Sequence, residues 1–306
     1  MADVILDTPI AAPVKPSAVL RNLLHNPAVM FGGAVILIVL IMALLAPWLG
    51  TIDPTAINPI ARNKVPGTEI SFRTDTGERI KMIAKLGTDS LGRDVYSRVV
   101  YGARISLLVG VSVAVISVAI GLVIGLMAGF FRLLDAIIMR IMDGLMAIPA
   151  ILLAIAMVSL FRSSVLTVII AITVPQIPGV VRLVRSIVLS VREEPYVEAA
   201  VTLGTSTPKL LWRHVLPNTT APMIVQGTFI CASAILVEAI LSFLGIGVPP
   251  EVPTWGNIMA EGRQVFSLFP HNIIYPGIFL AMTILAVNIM GDGLRDTLDP
   301  KMMKRV

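Results

Sequence analysis

Six long apolar runs, at about 28–49, 104–131, 133–160, 165–189, 221–246 and 272–294, leave this chain little choice of fold. A helix needs about 20 apolar residues to cross the hydrocarbon core of a bilayer, and each run meets that length. Inside lipid every backbone N–H and C=O must be satisfied within the protein, which leaves helices or closed barrels. The runs are continuous rather than alternating with period two, so a barrel does not fit. The composition agrees, at 56% hydrophobic and 14% charged residues with a mean hydropathy of +0.88. A soluble chain of this length would carry far more charge. The expected fold is therefore all-α and polytopic, with six transmembrane helices.

Six spans place both termini on one side. The basic residues divide almost evenly at first, but nine of them lie in and at the end of the longest loop, from Arg62 to Arg104. The positive-inside bias acts through short loops and span ends, and with that loop set aside the balance favours both termini in the cytoplasm. The segments expected are a cytoplasmic tail at 1–27, a first span at 28–49 read as an uncleaved anchor, a periplasmic loop at 50–103, a five-helix core at 104–294 and a cytoplasmic tail at 295–306. The net charge of +5 is then explained by basic helix ends facing anionic lipid, not by nucleic acid. One cysteine, Cys231, allows no disulfide. Gly121, Gly125 and Gly129 form a smooth stripe along the second span, suited to close helix approach within the bundle or between chains.

Between the fourth and fifth spans the chain turns polar, in "EEPYVEAAVTLGTSTPKLLWRHVLPN", Glu193 to Asn218. Pro195 suits a first helical position, and Glu193 and Glu194 precede it at the positive end of the dipole. Gly204 suits a left-handed cap, and Thr207–Pro208 starts a second helix. Pro217 is expected to stop that helix. The segment reads as a helix–turn–helix elbow; an amphipathic loop lying on the membrane fits the pattern alone equally well.

Ionisable or amide side chains within spans are costly and become candidates for a pathway. Asp143 in the third span, Glu238 in the fifth, and Asn288 and Asp292 in the sixth are such residues. Glu238 lies two turns from the outer end of its span, and either touches solute or holds neighbouring helices in register. Trp255, in the proline-rich loop between the last two spans, suits an interfacial anchor. His25, His214 and His271 stand far apart, and no HExxH set or nucleophile–base pair accompanies them, so an intramembrane enzyme is a remote reading. The chain has no "GK" dipeptide and hence no phosphate loop of the GxxxxGK[ST] kind. An ion-coupled secondary transporter would use paired charges and broken helices; Pro149, Pro175 and Pro178 could supply the breaks, but the elbow would be unexplained.

The elbow resembles the EAA motif of ABC-importer permeases, in Glu198, Ala199, Ala200, Gly204, Leu216 and Pro217. Four further stretches, "LGTDSLGRDVYSRVVYGARISLLVG", "DAIIMRIMDGLMAIPAILLA", "LVEAILSFLGIGVPPEVPTWGNIM" and "NIMGDGLRDTLDPK", look like the C-type permease subunit of dipeptide, oligopeptide and nickel importers. The resemblance covers nearly the whole chain. It implies a type I importer permease fold whose elbow is a coupling-helix pair seated on a cytosolic ATPase, with Ala199 and Ala200 permitting close approach. It also implies a second, B-type permease, two ATPase subunits that bind ATP and magnesium, a periplasmic binding protein, and a bacterial inner membrane. No cofactor, metal or catalytic residue is expected in this chain. The implied cargo is peptide, with nickel or another metal chelate as the alternative.

Overall fold

The computed structural model describes residues 16–73 and 79–298; the outer parts of both expected tails lie outside the described residues. Helix α1 (Pro16–His25) leads to α2 (Pro27–Leu44), which Asn26 caps by accepting from the Ala28 N–H at 2.9 Å. The Asn26 amide also donates to Thr297 Oγ1 at 3.2 Å, joining the first span to the last. The α2 helix ends five residues before its apolar run does, where Pro47 enters a 3-10 turn over Ala46–Trp48.

In the 50–103 loop, strands β1 (Thr68–Arg73) and β2 (Arg79–Ala84) form an antiparallel hairpin, with Thr68 opposite Ala84. Ile70, Phe72 and Ala84 pack with Ala61 into a small separate core. This hairpin adds to the otherwise helical architecture. Helix α3 (Val95–Phe130) starts nine residues before its apolar run, because the Asp94 carboxylate accepts from the Ser97 N–H (2.8 Å) and hydroxyl (2.6 Å).

The third span is broken: α4 (Arg132–Met146) and α5 (Ala150–Leu160) meet at 86°. Pro149 disfavours helical geometry at Ile148 and begins a new helix instead. Neither half alone has the length to cross. Pro175 and Pro178, by contrast, sit inside the uninterrupted α6 (Val165–Arg192). The elbow follows as α7 (Pro195–Thr202) and α8 (Thr207–Leu210). Pro217 does not end the second elbow helix. A π-turn over Leu211–Val215 widens the helix, the Leu216 N–H reaching Leu211 O, and the chain runs straight on as α9 (Leu216–Phe243). The wide turn makes room for a proline that offers no N–H of its own. Helices α10 (Trp255–Gly262) and α11 (His271–Leu298) complete the chain. Among the described residues five helices are long and apolar enough to span a membrane, and the bent pair makes a sixth.

The tightest seam joins α3 to α6. A Cβ added at Gly121, Gly125 or Gly129 would stand 2.5–2.6 Å from Val180, Val184 or Val188, so each glycine is filled by the valine opposite. Arginines from neighbouring helices cover orphan carbonyls at two helix ends: Arg104 reaches Leu44 O of α2 at 3.0 Å, and Arg192 reaches Gly129 O of α3 at 3.0 Å.

Candidate functional site

The elbow is a built structure. Gly204 has φ +77°, and the Gly204 and Thr205 N–H groups close back on Val201 O (2.9 Å) and Ala200 O (3.1 Å), sealing the end of α7. Helix α7 buries Val197 and Ala200 in the same core cluster as Leu210 and Val215. Ala200 therefore lets α7 close on its own chain, while Glu198 and Ala199 face outward. Asn218 ties the two helices together, its amide donating to the Tyr196 hydroxyl (3.2 Å) and to His214 O (2.7 Å). Leu203 and Trp212, 86% and 76% exposed, leave large apolar side chains uncovered on this polar projection.

Beside the elbow, a cleft of about 660 Å³ opens between α6, α9 and α11, lined by Leu183, Pro217, Gln226, Phe229 and Arg295 among others. Leu216 is half-buried and Pro217, in the cleft wall, is exposed. Asn288, half-buried, stands two turns before Arg295 on the same face of α11. Asp143 is placed elsewhere, on α4, where Arg182 of α6 donates to it at 2.6 Å. The Asp135–Arg185 pair lies deeper in the same α4–α6 contact, with Arg185 Nη2 at 2.7 Å. Glu238 is fully buried and accepts from the Ser242 hydroxyl at 2.8 Å, with the Ser106 and Thr254 hydroxyls beside it. Its carboxyl joins α3, α9 and the start of α10, and it has no open face here.

At the far end of the bundle the "LGTDSLGRD" stretch folds into a cage of charge. Arg93 and Arg98 both hold Asp89, at 2.7 and 3.0 Å, and both reach Glu261 of α10; the Arg98–Glu261 distance is 3.2 Å. Trp255 is no interfacial anchor: it is fully buried, and its indole N–H donates to Val99 O at 3.1 Å. Asn257 donates to the carbonyls of Val248, Pro249 and Val252, all within 3.1 Å, which pins the proline-rich loop. His271, nearly buried, approaches Thr88 O at 3.3 Å, a structural contact. Hydropathy gives no sign of this cage, because its members lie 168 residues apart in sequence and read singly as loop charges.

Burial pushes the Glu261 carboxyl up to about 7, with Arg93 pulling it down and Asp89 pushing it up. Its reference value is 4.5, so between those values the folded chain binds a proton that the unfolded chain releases. Stability from this group therefore falls as pH rises from 4.5 through 7. The melting midpoint of the purified protein is expected to drop between pH 5.5 and pH 8, and Glu261→Gln is expected to flatten that slope. An unchanged slope in the variant would assign it to other groups.

The chain is similar to known proteins along most of its length. The family described as binding-protein-dependent transport system inner membrane component matches residues 121–304. The N-terminal transmembrane domain of oligopeptide transport permease C matches residues 17–66. A probable peptide ABC transporter permease of Sinorhizobium fredii is 48% identical over 95% of each chain. A di/tripeptide transport system permease of Pseudomonas aeruginosa is 38% identical, covering 92% of this chain and 91% of the relative. The oligopeptide transport system permease of Bacillus subtilis is 36% identical, covering 91% and 87%.

Proposed function

Because the chain belongs to the family of binding-protein-dependent transport system inner membrane components, we propose that it is one permease subunit of an ATP-driven importer for di- and oligopeptides. The observation that carries the proposal is the elbow: a capped two-helix projection with uncovered Leu203 and Trp212, continuous through α9 with the spans. Glu198, Ala199 and Gly204 present its outer surface to a cytosolic ATPase, while Ala200 seats it on its own chain and Leu216 and Pro217 carry it into α9. ATP and magnesium are bound by two ATPase subunits, and this chain supplies the lever that their closure pulls.

In this reading both termini and the elbow are cytoplasmic, and the 50–103 loop and α10 face the periplasm, where a binding protein delivers solute. A second, B-type permease completes the pathway in a bacterial inner membrane. The cleft beside the elbow, with Asn288 above it, and Asp143 on α4 form this chain's share of the path. Glu238 serves it indirectly, by holding the outer helix ends together.

The test is uptake by proteoliposomes carrying this chain with its second permease and ATPases. Trialanine is expected to accumulate only when ATP and the binding protein are both supplied. Accumulation driven by a proton gradient without ATP would refute the proposal in favour of a secondary transporter.

A further inference from the structure

Helix faces that touch lipid are apolar, and α3 follows the rule, exposing Leu108, Val111, Val115, Ile120 and Val123. Helix α6 does not. One face is packed on α3 through Val180, Val184 and Val188, while another presents Gly179, Arg182 and Ser186 at helical spacing to open space. Asp143 meets Arg182 across this surface, and the two side chains are 51% and 42% exposed. Gly144 and Gly179 lie beside them, with no heavy atom within 4 Å of where a Cβ would stand. The site sits one to two turns before the break at Pro149, where α4 crosses α6.

Arg182 lies about 26 Å along α6 from its outer end, still within a hydrocarbon core about 30 Å thick. An ionised side chain facing lipid costs about 2.5–3.5 kcal/mol at the bilayer centre and less toward the inner edge where Arg182 lies, so charges in spans turn to protein, water-filled space or the interface. The neighbouring Asp135–Arg185 pair is covered more fully, at 23% and 31% exposure, and acts as a strut between α4 and α6. Among the described residues only the Asp143–Arg182 pair stands open, beside two bare stretches of backbone.

We infer that Arg182 and Asp143 form a way-station for the two charged ends of a passing peptide, the carboxylate bound by Arg182 and the ammonium by Asp143. This rests on the reading of the chain as a peptide-importer permease. A guanidinium fork matches a carboxylate in two parallel hydrogen bonds, which a single ammonium charge cannot do. Exchange of one internal ion pair for two with a zwitterion leaves the site neutral whether empty or loaded. No uncompensated charge is left in the low-dielectric region at any stage. When the peptide leaves, the pair closes on itself, which keeps binding weak enough for passage. The glycines leave open space beside the pair, so the site reads the two termini of a short peptide.

The experiment compares uptake of trialanine with that of trialanine amide, which lacks the carboxylate, in proteoliposomes with the full transporter and one binding protein throughout. Arg182→Gln is expected to lower trialanine uptake roughly ten-fold, the loss of one charge-assisted contact. It is also expected to reduce the preference for trialanine over its amide roughly five-fold, with ATP hydrolysis retained. Arg182→Lys should restore part of both. An unchanged preference for trialanine over its amide in Arg182→Gln would overturn the site and make the pair a strut. Wild-type transporter that takes up no trialanine would instead overturn the peptide reading and the way-station with it.

Discussion

Gly204→Val is expected to disconnect the transporter from its ATPases while leaving the membrane bundle intact. At φ +77° a residue with a branched side chain costs about 1–2 kcal/mol, concentrated at the one peptide that sets the angle between α7 and α8. No heavy atom lies within 4 Å of the added Cβ, so the cost is conformational and is relieved by turning the elbow, not by unfolding the spans. Turning it re-aims the exposed Leu203 and breaks the seal on Val201 O and Ala200 O. Recovery of ATPase on a tagged permease is expected to fall by at least roughly ten-fold, equivalent to about 1.4 kcal/mol. The permease pair should still purify together. Undiminished ATPase recovery would show that the elbow is not the coupling surface.

Gly125→Val attacks the bundle itself. The new Cβ would stand 2.6 Å from Val184 Cβ and 3.0 Å from Val181 O, at the centre of the α3–α6 seam. Neither helix can retreat without separating Gly121 from Val180 and Gly129 from Val188. Overpacking of this kind costs about 3 kcal/mol, at the upper end of what single insertions do. For a chain of this size that lowers the melting midpoint by about 5 °C. Gly33→Ala on α2, where nothing lies within 4 Å, is the matched control and should leave the midpoint where it was. Equal behaviour of the two variants in a thermal shift assay would mean that the seam is not a tight one.

The spans and the cap at Gly204 were legible because each is a local pattern: an unbroken apolar run, or a glycine between two helix signals. The sequence offered Pro149 as a break only alongside Pro175 and Pro178, which break nothing, and it did not offer the continuity through Pro217, because prolines look alike in sequence. What separates them is whether a neighbouring π-turn can absorb the missing N–H, and that is a property of the folded helix. Ala199 and Ala200 show the same limit, adjacent and identical in type yet facing opposite ways. Arg182 was visible only as one more basic residue near a span end. Its meaning depends on Asp143, which reaches it from a helix that the sequence presents as a single straight span. The hairpin was faintly written in "TEISFR", whose alternation is too short to stand out beside runs of twenty apolar residues.

The charge cage has a consequence for how the chain is assembled as it is made. Asp89, Arg93 and Arg98 leave the ribosome long before Glu261 and by themselves carry one surplus positive charge. Only a chain whose last loop has been delivered to the same face as its first can bring Glu261 to close the set. An inverted or missing span would leave that charge unanswered. The cage thus ties the first loop to the last, and this end of the bundle is complete only when both lie on the same face.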